Sequence, residues 1–84
     1  MEEYTVDEVM EYLIRFRCDL TGYVDGEVAG LINEKDCATF FVGYNGCIFE
    51  LDVPREELDT AILYKGKTIK ELLEEGIFYN AIVR

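Results

Sequence analysis

The side chains in this chain that could do chemistry are carboxylates, lysines, tyrosines and cysteines; His, Ser, Gln and Trp are absent from its 84 residues. Without Ser and His, neither a serine triad nor a Cys–His dyad can be assembled. General acid–base work would fall to Asp, Glu, Lys, Tyr or Cys, each with its pKa moved by burial or a neighbouring charge. Carboxylates sit close together at Asp7/Glu8, Glu50/Asp52, Glu56/Glu57 and Glu74/Glu75. With 18 acids in the chain, such pairs arise by chance. A catalytic pair would also need a substantial cleft around it. No catalytic residue is assigned, and the expectation is a protein that is not an enzyme.

Two further motifs have a simple reading. Gly66-Lys67-Thr68 matches the tail of a phosphate-binding loop, Gly-x-x-x-x-Gly-Lys-Ser/Thr, but Ala61 stands where the first glycine is required. Lys65-Gly66-Lys67 therefore reads as a turn, and Thr68 as a helix cap. Lys65, Lys67 and Lys70 form a small basic cluster at that helix start, where an anion could sit; a solvated turn is the simpler reading. Cys18, Cys37 and Cys47 are odd in number and lack Cys-x-x-Cys spacing. That pattern suits neither a disulfide framework nor a four-donor zinc site, and leaves three small packed thiols. Asp19, Asp25 and Glu27 do not have the spacing of a calcium loop. No metal and no cofactor is expected.

The charge is the most specific bulk property: 18 Asp+Glu against 8 Lys+Arg, a formal net charge of −10. It is polarised along the chain, with −7 in residues 1–36, −4 in residues 37–59 and +1 in residues 60–84. Such a field repels nucleic acid and anionic membrane and favours basic surfaces. Direct nucleic-acid binding, which needs clustered Lys and Arg, is disfavoured. Half the residues are hydrophobic, too many for a disordered acidic tail. No apolar run is long enough to span a membrane. The start Met1-Glu2-Glu3-Tyr4 is not that of a signal peptide, so the cytoplasm is the expected compartment.

The elements that must position these groups follow from caps, turns and periodicity. Thr5 to Glu8 is a capping box. It opens a helix with Val6, Val9, Met10, Leu13 and Ile14 on one stripe, Tyr4 stapled to Val9, and Arg15 and Arg17 in the last turn near Cys18. Ala38 to Val53 reads as a hairpin about a type I′ Asn45-Gly46 turn. Its register pairs Tyr44 with Cys47, Val42 with Phe49, Phe40 with Leu51 and Ala38 with Val53, all on one side. Residues 23–32 allow three readings: one strand with Val28 opposite Val42, Gly30 opposite Phe40 and Ile32 opposite Ala38; a hairpin turning at Asp25-Gly26; or a short helix capped by Asp25. Pro54 opens a short polar turn, and residues 61–64 form a short strand. Thr68 to Glu71 is a second capping box, starting a helix with Ile69, Leu72 and Leu73 inward and Gly76 at its end. Residues 77–83 form a last strand, at a sheet edge. The expected fold is α+β: one domain over residues 1–84, a mainly antiparallel sheet of three to five strands with two helices packed on one face.

The hairpin register places a candidate partner-binding set on the sheet side away from the core: Asp25, Glu27, Glu50 and Asp52, interleaved with Tyr23, Phe41 and Ile48. Aromatics supply anchors and carboxylates supply steering, which is the chemistry of a face for a basic partner. The helix acids Glu2, Glu3, Glu8 and Glu11 form a second charged surface, of the ordinary amphipathic kind. The expected function is that of a small acidic binding protein. It would act as an inhibitor or antagonist docked on a basic partner, such as a nuclease or another nucleic-acid-binding protein. Anti-CRISPR, anti-defence and nuclease-immunity proteins share this size and charge, and no motif in the chain identifies any of them. The alternative is a structural or adaptor module, or a homodimer, with no inhibitory activity.

Overall fold

The computed structural model describes residues 4–43 and 46–84. Two capping boxes start the helices where the sequence places them. Thr5 Oγ1 accepts the Glu8 N–H, and the Glu8 carboxylate accepts the Thr5 N–H, opening α1 (Val6–Ile14). Thr68 and Glu71 do the same for α2 (Ile69–Glu74). Gly76, at φ +73°, closes α2: its N–H reaches the Leu73 carbonyl while that of Ile77 reaches Leu72, a Schellman pair that satisfies two helix-end acceptors.

Among the described residues the other elements are seven strands, β1 (Leu20–Val24), β2 (Glu27–Asn33), β3 (Cys37–Val42), β4 (Phe49–Pro54), β5 (Ile62–Tyr64), β6 (Lys67–Thr68) and β7 (Phe78–Val83), and a 3-10 turn at Arg55–Glu57. The main sheet is antiparallel with order β4-β3-β2-β1-β7, and β5-β6 form a small separate hairpin. Inward residues of the sheet, α1 and α2 share one apolar core with Leu58 and Leu63. At its centre, the buried Phe40 ring meets Phe49, Tyr64 and Phe78 at centroid distances of 6.1, 6.2 and 6.4 Å. The fold is α+β, a five-stranded antiparallel sheet with its helices against one face.

The structure takes the hairpin among the three readings of residues 23–32, which corrects the single-strand register, and two further expectations are corrected. Residues 20–33 are a hairpin, with Asp25 at φ 54° and Gly26 at φ 78°, the two positive φ values that a type I′ turn demands. Val24 and Glu27 close it. Consequently Asn33, Leu31 and Ala29 pair with Ala38, Phe40 and Val42, one residue away from the single-strand register. Val28, Gly30 and Ile32 therefore share the outward side with Phe41. The physical cause is β1: Leu20 and Val24 must be buried, and the two-residue turn then fixes the parity of β2.

The second correction concerns α1, which ends at Ile14 with Arg15 as its cap; Arg17 has already left the helix at φ 57°. Side chains from elsewhere take over its last carbonyls. Asn33 Nδ2 donates to the Leu13 and Cys18 carbonyls, Arg55 donates to the Ile14 carbonyl at 3.0 Å, and Arg55 also donates to Asn33 Oδ1. Ile14, placed by periodicity on the core stripe, is left exposed.

Thirdly, Cys47 is exposed and lines a shallow hollow with Thr39, Phe41, Gly43 and Glu50. Those neighbours lie away from the core, so Cys47 does not face inward as the extended hairpin pattern implies. Gly43 at φ 88° breaks the alternation before the loop. The remainder of the β3–β4 register is as read: Val42–Phe49, Phe40–Leu51 and Ala38–Val53. Tyr44, Asn45, and the helix acids Glu2 and Glu3 lie outside the described residues, and with them the Tyr44–Cys47 pair and half of the proposed turn.

The β7 edge of the sheet is irregular. In β7, Asn80 and Ala81 together stand opposite Gly22, with Asn80 at φ 53°, a bulge. A Cβ on Gly22 would fall 2.5 Å from the Phe78 ring and 2.7 Å from the Tyr79 carbonyl oxygen, so this crossing admits only glycine. On the other edge, β4 carries Glu50 and Asp52 and ends in Pro54.

Candidate protein-docking face

One face of the main sheet carries the core; among the described residues, no helix covers the other. Cross-strand register arranges that open face in rows. Asp52 pairs with Thr39, Thr39 with Ile32, and the backbone of Asp19 with that of Arg84. Leu20 opposite Leu31 sets Asp19 beside Ile32. The row therefore runs Asp52, Thr39, Ile32, Asp19, Arg84 from β4 to β7. The next row is Glu50, Phe41, Gly30, Thr21, Ile82. Beyond it come Val28, Tyr23 and Tyr79.

The open face is apolar over most of its width. Tyr23, Val28, Tyr79, Ile82 and the adjacent Ile48 are between 39% and 60% exposed. Tyr23 and Tyr79 stack with centroids 5.9 Å apart, and the Tyr79 hydroxyl accepts the Gly26 N–H, which holds the pair upright at the sheet end. Phe41 lies across Gly30: a Cβ there would meet its ring at 2.7 Å. Glycine at this point lets an aromatic ring rest on the sheet and keeps the middle of the face low. A hollow of about 260 Å³ opens beside it, walled by Tyr23, Val28 and Ile82. Exposed apolar surface continuous over several strands is unusual on a lone domain.

Charge sits at the margins. Glu50 and Asp52 line the β4 side, and Thr39 Oγ1 donates to Asp52 at 2.7 Å. Cys37, half-buried at the start of β3, has its thiol pushed above its ordinary 9.0, first by packing and then by the negative fields of Asp52, Glu34 and Asp36. Those three carboxylates thus converge on one corner of the sheet. On the β7 side, Arg84 Nε donates to Thr21 Oγ1 at 3.2 Å, which draws the guanidinium onto the face.

Of the seven residues assigned to the partner face from sequence, Tyr23, Phe41, Glu50 and Asp52 share it, and Ile48 stands beside it against Gly43. Asp25 and Glu27 do not. Glu27 pairs with the buried Val24 and so projects to the core side of the sheet end. Asp25 occupies the turn and binds Lys65 Nζ at 3.1 Å. The one-residue change in β2 register explains both misplacements. Tyr79, Val28, Ile82, Thr39 and Arg84 join them on the face, together with Asp19, Thr21, Gly30 and Ile32. Val28 was missed through the register, and Tyr79 and Ile82 because the Asn80 bulge changes the alternation of β7.

The lysine cluster at the start of α2 is neutralised within the fold. Lys65 pairs with Asp25, Lys67 with Glu75 at 3.0 Å, and Lys70 with Asp7 at 3.4 Å. Lys65-Gly66 is a type I′ turn at φ 54° and 72°, as the turn reading of that segment requires. A larger hollow of about 450 Å³ lies between α1 and β7, walled by Tyr4, Val6, Val9 and Leu73. Among the described residues its lining holds no carboxylate, lysine, arginine or cysteine. No helix among the described residues is long and apolar enough to cross a membrane. Comparison with known protein families, curated proteins and solved structures finds no match for this chain.

Proposed function

We propose that this protein is a small acidic binding module that docks on a basic partner protein through its open sheet face. The observation that carries the reading is the pairing of that apolar face, built on Tyr23, Phe41 and Tyr79, with the acidic corner of Glu34, Asp36, Glu50 and Asp52 beside it. Aromatic and aliphatic side chains supply the desolvated centre on which affinity depends. Carboxylates at the rim raise the encounter rate with a positive surface and penalise an acidic one. With a net charge of −10, the class of partner favoured is a protein whose own groove is basic because it handles nucleic acid. Occupying that groove with carboxylates would make this chain an antagonist, acting in the cytoplasm and needing no catalytic group of its own.

The test is affinity capture from the source cell followed by titration of each captured protein against the pure chain. Between about 50 and 500 mM salt, where screening removes rim electrostatics, affinity should fall steeply. Tyr23→Ser with Phe41→Ser should abolish binding, and Glu50→Lys with Asp52→Lys should slow association more than it speeds dissociation. A complex indifferent both to salt and to these substitutions would overturn the reading.

A further inference from the structure

The open face is complementary to itself. Its acidic margin on β4 and the guanidinium of Arg84, which follows β7 and stands next to Asp19, lie at opposite ends of one row, Asp52 to Arg84, with the central strand β2 midway between them. A two-fold axis running along β2 turns a second copy so that its β7 covers the first copy's β4. Each Asp52 then meets the other copy's Arg84, twice over by symmetry. The same rotation brings Ile48, the most exposed large apolar side chain of the described residues at 60%, over the partner's hollow of about 260 Å³ between Tyr23, Val28 and Ile82. An axis across the strands instead sets Asp52 and Arg84 against the apolar end of the opposing sheet and pairs no charges. Sheets packed face to face hold their strands within about 30° of one another, so the rows stay in register over a face this small.

We propose that this face closes on a second copy of the chain, as an isologous dimer with its axis along β2, and so withdraws the docking surface until a partner competes for it. The proposal deepens the docking reading of the same face and rests on it, but it makes a separate physical demand. Five strands about 4.8 Å apart and roughly 20 Å long give a footprint near 500 Å² per copy. That lies at the small end for specific interfaces, where association is weak and reversible. A weak dimer is what a surface that must be surrendered to a partner requires.

The sign of the salt effect separates the two events. Two chains of charge −10 repel, and salt screens that repulsion, so dimerisation should strengthen with ionic strength while docking on a basic protein weakens. Sedimentation equilibrium of the pure chain, from about 5 to about 500 μM to bracket weak interfaces, should show a monomer–dimer equilibrium that tightens from about 20 to about 300 mM salt. Ile48→Asp should leave a monomer of unchanged circular dichroism. Asp52→Arg alone and Arg84→Asp alone each place like charges opposite one another, and each should weaken association at least about fivefold; combining them should restore it to within about twofold. A monomer under all conditions overturns the dimer. So does a dimer unmoved by the single substitutions, which would lie on another surface. Either result leaves partner binding to be judged by its own salt dependence, measured at concentrations below dimerisation.

Discussion

Replacing Asn33 by alanine should be among the most damaging polar substitutions in the molecule. Asn33 fastens the end of α1 to the sheet. Its Nδ2 group donates to the Leu13 carbonyl at 3.3 Å and to the Cys18 carbonyl, and its Oδ1 accepts from Arg55. Truncation strands two backbone acceptors and one guanidinium N–H in a half-buried site. Neutral bonds are worth about 1 kcal/mol each and a charged one about 1.5–3 kcal/mol. Partial access of water lowers the sum, giving an expected loss of about 2–3 kcal/mol. A domain of 84 residues holds roughly 4–13 kcal/mol in total, so the loss is a large fraction of its stability. In urea, at about 1 kcal/mol per molar, the unfolding midpoint followed by far-ultraviolet circular dichroism should drop by about 2–3 M. Asn33→Asp sharpens the test. It keeps an acceptor for Arg55, now charged, but sets lone pairs against the Leu13 and Cys18 carbonyls. If the donors matter, the aspartate variant at pH 7 should be no more stable than the alanine variant. It should regain stability as pH falls, since a protonated carboxyl donates once more. An alanine variant within about 0.5 kcal/mol of wild type, or an aspartate variant as stable as wild type, would refute the reasoning.

Gly22→Ala drives a methyl to 2.5 Å from the buried Phe78 ring and 2.7 Å from the Tyr79 carbonyl oxygen; thermal unfolding should report a loss of about 2–3 kcal/mol, as overpacking in a core produces. Cys37 should give an alkaline limb to the stability profile. Its folded pKa is raised above 9.0, so its contribution is fully present below that value and is lost as pH rises through the higher folded one. Cys37→Ala should flatten the limb in urea titrations between about pH 8 and pH 11, and an unchanged slope would remove the assignment.

What could be read from the chain depended on whether a segment had one apolar parity or two. In β3 and β4, Ala38, Phe40, Val42, Phe49, Leu51 and Val53 fall on one side, and only one register buries them all. In β2, both parities are apolar, Val28 and Ile32 on one and Ala29 and Leu31 on the other, so alternation could not choose. The choice comes from β1, whose Leu20 and Val24 are legible as core only once Asp25-Gly26 is taken as the turn. The candidate face inherits the same division. Phe41, Glu50 and Asp52 were placed by the hairpin, whereas Asp25 and Glu27 were placed by the ambiguous strand and moved with it. The capture of all three lysines of the second capping segment by Asp25, Glu75 and Asp7 joins residues up to 63 positions apart in the chain, from Asp7 to Lys70. No local pattern announces such pairs.

The two edges of the main sheet have a consequence for how the protein behaves when concentrated. A straight, flat edge is a template on which strand after strand can be added without limit. Here the β7 edge is bent by its bulge at Asn80, and the β4 edge ends in a proline and displays carboxylates. Contact through the broad face is thereby separated from growth along the edges. An aromatic surface can thus lie open to water while strand-by-strand addition is hindered at both borders of the sheet.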